Sequence, residues 1–298
     1  MPERLVYISG EWLPESEARI SIFDSAVMLG DCVTESTRTF AQKPFKLERH
    51  IERLYKSMKV CRYSFEMSPE ELTSLTLEVV ERNLPIYAPG EDLWIVHNIS
   101  RGAYPPSGDQ SKKREPTVII NTLPMDLRYW ARFYVVGCHA VTPPSRMVPA
   151  QCLDAKIKNR SRMAYTLAEL EVKLVDPDAQ GILLDTEGYL AENKGGNFFL
   201  VSEGVLKTPR TVQALAGITR ETTLEIARHQ GLPVEVCDLQ PYDVYTADEA
   251  FFTSTPYCIM PATRFNGLPV GDGKVGPITR RLLQGWAELT GVDVVQQA

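Results

Sequence analysis

Residues Leu153–Val172 read LDAKIKNRSRMAYTLAELEV. Two lysines, Lys156 and Lys158, stand two positions apart in a short extended stretch. That stretch runs straight into a helix with Leu167, Leu170 and Leu174 at helical spacing. A lysine at the end of a strand that feeds a helix can be packed away from water. Burial disfavours the ammonium, lowers its pKa and makes the amine a usable nucleophile. The plainer alternative is a solvated edge with two lysines on it. The choice between them rests on what accompanies the segment: an acid, an asparagine and several turns suited to phosphate, in a particular order.

At 298 residues the chain is long enough for one large or two medium domains with real cores. A net charge of −6, with no basic stripe and no RNA- or DNA-binding motif, argues against a nucleic-acid partner. The run Lys112–Arg114 sits among Pro, Ser, Gly and Asp and reads as a solvated loop. No apolar run approaches the ~18–20 residues of a membrane helix, and MPERLVYISGEW lacks a signal-peptide pattern. Six scattered cysteines and four scattered histidines show no metal-ligand spacing. The expectation is a reduced, cytoplasmic protein with no metal and no membrane partner.

Taken in order, Leu5–Gly10 opens a hairpin and Ala18–Asp24 (ARISIFD) reads as a second strand. VTESTRTF alternates as a strand, with Glu35 and Thr37 on one face and Thr34, Ser36 and Arg38 on the other. A helix follows, with Ile51, Leu54, Tyr55 and Met58 as its apolar stripe. Ser68-Pro-Glu-Glu is a capping box that starts another, to about Asn83. Strands over Asp92–Ser100 and Pro116–Leu123 flank a long loop of the kind that often serves as a lid. The first domain is placed at 1–124, a linker at 125–132 and a second domain at 133–298, opening with a strand over Phe133–Val141. Beyond the lysine helix come short strands with turns at Glu187–Gly188, Lys194–Gly196 and Glu203–Gly204. Helices over Thr219–Gln230 and Pro277–Leu289 complete a two-domain α+β fold, the smaller domain first.

From ARISIFD to GPITRRLLQGW the chain resembles the class IV aminotransferases, the fold-type-IV pyridoxal-phosphate enzymes. These include branched-chain aminotransferases, D-amino-acid transaminases, (R)-selective amine transaminases and aminodeoxychorismate lyase. IKNRSRMAYTLAELE, aligned without gaps on the family's Schiff-base segment, selects Lys158, with Lys156 as runner-up on the same face of a strand. YLAENKGGNFFL resembles the family's acid segment, which puts Glu192 under the cofactor's ring nitrogen and Asn197 at the family's asparagine. A carboxylate there keeps the ring protonated and able to accept electrons. Asn193 and Lys194 stand where a glycine and a small residue are usual, and Asn193 is expected to keep the turn through a positive φ. HIERL resembles H-x-x-R-L, which implies Arg53 as a phosphate ligand. LAGITRE resembles L-P-G-I-T-R, which implies Leu215 packing on the ring and the amides of Ile218 and Thr219 on the phosphate. FFTSTP resembles a third phosphate turn, with Ser254 and Thr255.

The resemblance implies pyridoxal 5'-phosphate as cofactor and a homodimer. It implies an amino acid or primary amine as donor and a 2-oxo acid as acceptor. VTESTRTF resembles V-F-E-G-I-R, which brings Arg38 toward a substrate carboxylate; an ion pair is the structural alternative. The Arg-x-His trap of D-amino-acid transaminases is missing around Pro106 and Gly108, and Met163 stands where branched-chain enzymes carry a tyrosine. The expected activity is transamination through Lys158. A lyase of the same fold is the alternative, and a binding module that has lost catalysis is the reading from another class.

Overall fold

The structure is a computed structural model that describes residues 3–105, 107, 109 and 114–298. Lys112, Lys113, Pro106 and Gly108, and with them the middle of the expected lid, lie outside the described residues. The chain divides into two compact units, Met1–Met125 with Ile157–Ser161, and Asp126–Lys156 with Arg162–Ala298.

The first unit is a six-stranded sheet covered by two helices. Its strands are β1 (Leu5–Ile8), β2 (Glu11–Pro14), β3 (Cys32–Phe40), β4 (Lys43–Pro44), β5 (Leu93–Ser100) and β6 (Val118–Pro124), in the order β2-β1-β6-β5-β3-β4. Its helices are α1 (Ser25–Leu29), α2 (Leu47–Val60) and α3 (Pro69–Asn83). β3 pairs antiparallel with β5 so that Glu35 lies opposite His97 and Thr37 opposite Ile95. Ile95 and Ile99 meet Ile51, Leu54 and Met58 of α2 and Leu72 and Val79 of α3 in one core. The stripe read from α2 is therefore its buried face, and Ser68 and Glu71 form the expected capping box on α3.

ARISIFD is not a strand. Ile20, Ile22 and Phe23 are exposed, and only Asp24 at its end pairs, in a single bridge with Ala103. Asp24 instead caps α1, accepting from Ala26 N at 2.8 Å, and takes a second bond from Thr117 Oγ1 at 2.6 Å.

His97 carries a pH signature in this core. Its Nε2 lies 2.8 Å from Thr76 Oγ1, which donates its own proton to Leu72 O at 2.7 Å. The ring proton is therefore on Nε2, and Nδ1 is buried without a partner. Burial, opposed by Glu35 and aided by His50, pushes the imidazole down to about 4. A histidine that resists protonation in the fold but accepts a proton when unfolded stabilises the fold above about pH 6.5. That contribution is lost as pH falls toward 4. We expect the wild-type protein to lose roughly 2 kcal/mol more than His97→Leu between about pH 7 and about pH 4.5 in urea unfolding. Equal losses in the two proteins would remove His97 from the account.

The second unit holds an eight-stranded sheet. In chain order come α4 (Arg128–Val136), β7 (Cys138–Val141), α5 (Met163–Val175), β8 (Gln180–Gly181), β9 (Asn197–Ser202), β10 (Val205–Pro209) and α6 (Ile218–His229). They are followed by β11 (Val234–Cys237), α7 (Pro241–Tyr245), β12 (Glu249–Ser254), β13 (Cys258–Phe265), β14 (Leu268–Pro269), α8 (Pro277–Thr290) and α9 (Val294–Gln297). The strand order is β11-β10-β9-β12-β13-β7-β8, with β14 on β13. β9 and β12 are apolar on both faces. Phe199 stacks on Phe251 at 5.0 Å and Phe198 meets Phe252 edge-on at 5.1 Å, each a cross-strand pair. Glu203 and Gly204, both at positive φ, make the two-residue turn between β9 and β10. Glu249 ties α8 to the sheet by accepting from Ile278 N, Thr279 N and Thr279 Oγ1 at 2.6–2.9 Å.

Three expectations are corrected here. The stretch 128–136 is helix, so part of the expected linker and the first half of the expected Phe133–Val141 strand form α4; strand begins only at Cys138. The lysine segment is not a strand but a run of turns with one bridge, Val33 to Asn159. The stripe Leu167, Leu170, Leu174 on α5 faces outward, with Leu174 89 % exposed, while Ala168 and Val172 are buried. The helix carries apolar residues on two faces, and spacing alone does not tell which is packed. The smaller residues allow close approach: a Cβ on Gly181 would lie 3.2 Å from Val172. No helix among the described residues is long and apolar enough to cross a membrane.

Candidate active site

In the first unit the lysine segment is pinned against the start of β3. Thr34 N donates to Lys158 O at 2.8 Å and Arg160 N to Cys32 O at 2.9 Å. From the other side Ser57 Oγ accepts from Lys158 N at 3.3 Å and donates to Arg53 O at 3.1 Å. The backbone of Lys158 is thus hydrogen-bonded to α2 one turn beyond Arg53. Lys156 lies in the other unit, 52 % exposed and ion-paired with Asp154 at 3.0 Å. The chain turns between the two lysines rather than running extended.

Arg53 is 12 % exposed and is gripped in a fork by Glu35, Nε to Oε2 at 2.9 Å and Nη2 to Oε1 at 2.6 Å. His50 Nδ1 lies 3.0 Å from Glu35 Oε1. Burial acts to raise the Glu35 carboxyl, but Arg53 and then His50 more than reverse this, and it stays well below the usual carboxylate range. Burial holds His50 below its ordinary value against the pull of Glu35, with Arg53 and the Lys158 charge adding to the depression. Sequence reading passed over Glu35 and His50 as ligand-orienting groups. The signal was present, since Glu35 was read on one face of β3 and His50 stands in the HIERL motif.

Arg38, expected near a substrate carboxylate, sits instead in a buried pair. Its Nη2 is 3.4 Å from Asp92 Oδ2, its Nε donates to Thr39 O at 3.0 Å, and its guanidinium lies 4.1 Å from the Phe40 ring centroid. Asp92 is fully buried and also accepts from Thr39 Oγ1 and Gln42 N. A carboxylate so placed requires a countercharge, and Arg38 supplies it.

In the second unit Glu192 is 5 % exposed and ringed by donors. Oε2 accepts from Leu215 N at 2.8 Å and lies 3.5 Å from Asn197 Nδ2, while Oε1 accepts from Tyr165 Oη at 2.7 Å. Asn197 Nδ2 also donates to Leu215 O at 2.9 Å, so Glu192, Asn197 and Leu215 form one constellation. Asn193 does not adopt the expected positive φ. Its Oδ1 accepts from Gly195 N at 2.8 Å, and this side-chain turn does what a glycine would otherwise do. Lys194 is ion-paired with Glu169, and its carbonyl accepts from Arg162 Nη2 at 2.9 Å.

The phosphate-type elements lie beside this constellation. α6 follows Gly217, an N-cap with no side-chain bond to the helix start. A Cβ on Gly217 would collide with Asn197 Oδ1, and one on Gly196 with Thr253 O. Only glycine permits these backbones to approach. Ser254 Oγ donates to Gly195 O at 2.5 Å, and Thr255 follows in the turn after β12. Arg220 of the GITR run does not join the ligand elements; its Nη2 donates to Pro209 O at 3.0 Å and ties α6 to β10. The first unit thus brings together Lys158 and Arg53, and the second Glu192, Asn197, Leu215, Ile218, Thr219, Ser254 and Thr255. Tyr165, missed in the sequence, joins the second set; its spacing to Ala168 and Val172 marks it as lying on the packed face of α5.

Comparison with known proteins converges on one family. The amino-transferase class IV profile matches residues 32–265. A putative branched-chain-amino-acid aminotransferase of Methanocaldococcus jannaschii is 31 % identical over 285 residues, covering 95 % of this chain and 96 % of that protein. The branched-chain-amino-acid aminotransferase of Escherichia coli K12 is 30 % identical, over 94 % and 90 % of the two chains. Among solved structures, a branched-chain amino acid aminotransferase from Thermoproteus uzoniensis with norvaline superposes with a TM-score of 0.84. It is 27 % identical over 97 % of this chain and 96 % of that one. The matched span includes the pinned lysine, the ringed carboxylate and the uncapped helix in the family's order, and the chain belongs to the class IV aminotransferases.

Proposed function

We propose that the chain is a pyridoxal 5'-phosphate-dependent aminotransferase that moves the amino group of an amino acid with an apolar side chain to a 2-oxo acid. The observation that carries this is the family match over residues 32–265, which spans the lysine, acid and phosphate segments together. Relatives named branched-chain aminotransferases, and similar structures holding pyridoxamine 5'-phosphate or N-(5'-phosphopyridoxyl)-L-glutamate, support the substrate and cofactor classes. No relative reported above carries a lyase name.

The residues suit the cofactor. The Arg53 guanidinium in the first unit, and the uncapped helix start and the Ser254–Thr255 turn in the second, are each elements suited to a phosphate dianion. Lys158 supplies the amine that holds the cofactor, and Glu192 a buried carboxylate for its ring nitrogen. When bound, pyridoxal phosphate supplies an electron sink and carries the amino group between the two half-reactions. Lys158 Nζ would take the proton from the substrate Cα and return it in the reverse direction. Glu192 would hold positive charge at the ring nitrogen. Glu35 keeps the Arg53 fork oriented, and Leu215 would pack against the ring.

A homodimer in the cytoplasm completes the proposal. Exposed apolar side chains on α1 (Val27, Met28, Leu29) and α5 (Leu167, Leu170, Leu174) support a second copy, and six free cysteines support a reducing compartment. The test mixes cofactor-loaded protein separately with L-leucine, D-alanine and each enantiomer of 1-phenylethylamine. L-Leucine is expected to bleach the visible absorbance of the bound cofactor. Bleaching only by an amine would replace the donor class, and no bleaching by any of the four would overturn the proposal.

A further inference from the structure

Glu192 reaches its neighbours through two oxygens that are held differently. Oε2 takes main-chain and amide donors from its own loop cluster, Leu215 N at 2.8 Å and Asn197 Nδ2 at 3.5 Å. Oε1 takes the Tyr165 hydroxyl at 2.7 Å, a donor delivered from α5, a separate element. We propose that Tyr165 is a positioning residue for this enzyme, whose hydroxyl orients the Glu192 carboxylate and keeps it ionised for its work at the cofactor ring. The proposal rests on the reading of Glu192 as the acid that faces the ring nitrogen.

The side chain is built for the purpose. The Tyr165 ring packs against Met147, Ala168, Leu183 and Ala191, which hold the phenol in place independently of its hydroxyl. The Arg162 guanidinium lies 4.5 Å from the ring centroid and donates to Lys194 O, so a cation braces the phenol on its outer side. Burial, then the Glu192 charge, holds the phenol above its ordinary range, so at neutral pH it is the donor and the carboxylate the acceptor. Charged groups near the pair include Arg162 at the N-cap of α5 and Lys194 in the turn before β9, the latter ion-paired with Glu169 of α5. Lys194 is engaged by Glu169, and the Tyr165 hydroxyl donates to Oε1. An ionised carboxylate that accepts several such bonds binds a proton weakly, and removing one donor raises its proton affinity. Oε1 has a second lone pair, so it can serve Tyr165 and a ring N–H together.

The test is Tyr165→Phe in the holoenzyme, which removes the hydroxyl and keeps the packed ring. The expected result is a kcat about tenfold lower at neutral pH with KM nearly unchanged. The acid limb of the kcat–pH profile should move up by about one pH unit, and the pH titration of the bound cofactor's absorbance should move with it, read without turnover. Replacing Tyr165 alone by 3-fluorotyrosine, a stronger donor, should move the same limb downward, and this variant retains the full side chain. In a Glu192→Gln background, Tyr165→Phe should add less than about twofold, since the two residues act as one unit. If Glu192→Gln is slow but both Tyr165 variants keep the parent's acid limb and absorbance titration, Tyr165 is structural and the inference falls alone. If Glu192→Gln is itself as fast as the parent, the reading of Glu192 beneath it falls first.

Discussion

Lys158→Ala is expected to lower transamination at least about a thousandfold and to abolish covalent retention of the cofactor, while Lys156→Ala stays within about twofold of the parent. The asymmetry follows from where the two lysines stand. Lys158 is anchored through its own backbone to β3 and α2, beside the Glu35–His50–Arg53 cluster, and its charge is felt by His50. Lys156 is an exposed partner of Asp154 in the other unit. Exposed pairs of that kind contribute about 0–1 kcal/mol, so its loss also leaves stability nearly unchanged. The loss at Lys158 is a loss of chemistry, not of fold, because main-chain atoms make its anchoring bonds and alanine retains them. Borohydride reduction followed by mass analysis of the labelled peptide reads the covalent site directly. Label on Lys156, or an active Lys158→Ala, would show the gap-free alignment to be two residues out.

Glu192→Gln should cut kcat by about a hundredfold or more while cofactor affinity changes by less than about tenfold. Glutamine matches the shape. Its oxygen can accept from Leu215 N, and its NH2 can donate to the Tyr165 oxygen, so the constellation survives without its charge. What disappears is the anion that favours a protonated ring nitrogen, an effect larger in a buried site than in water. On the proposed function, retention rests on the elements suited to a phosphate: Arg53, the α6 start and the Ser254–Thr255 turn. Equilibrium dialysis of the cofactor beside steady-state kinetics separates the two effects. A variant as fast as the parent would remove the electron-sink role from Glu192; one that cannot hold cofactor would assign Glu192 to binding instead.

Much of this protein was determined by sequence alone, because the relevant physics is local. The α2 stripe, the Ser68–Glu71 capping box and the Gly-led start of α6 each follow from period, cap or backbone freedom within a few residues. The motif order placed the lysine, the acid and the phosphate turns in one family, since each motif encodes a local backbone shape that its chemistry requires. What tertiary structure alone decided were the matters of which partner and which face. Alternation made ARISIFD look like a strand, but a strand needs a partner along its length, and here only Asp24 pairs, in one bridge with Ala103. Spacing made Leu167, Leu170 and Leu174 look like core, but α5 has a second apolar face, and close packing selects Ala168 and Val172. Arg38 answers to a buried Asp92 that is 54 residues away in the chain. The faces of Glu35 and Tyr165 could be read from spacing, but their partners Arg53 and Glu192 were set only by folding, because the energy of a buried charge depends on the donors that close around it, and those come from distant segments.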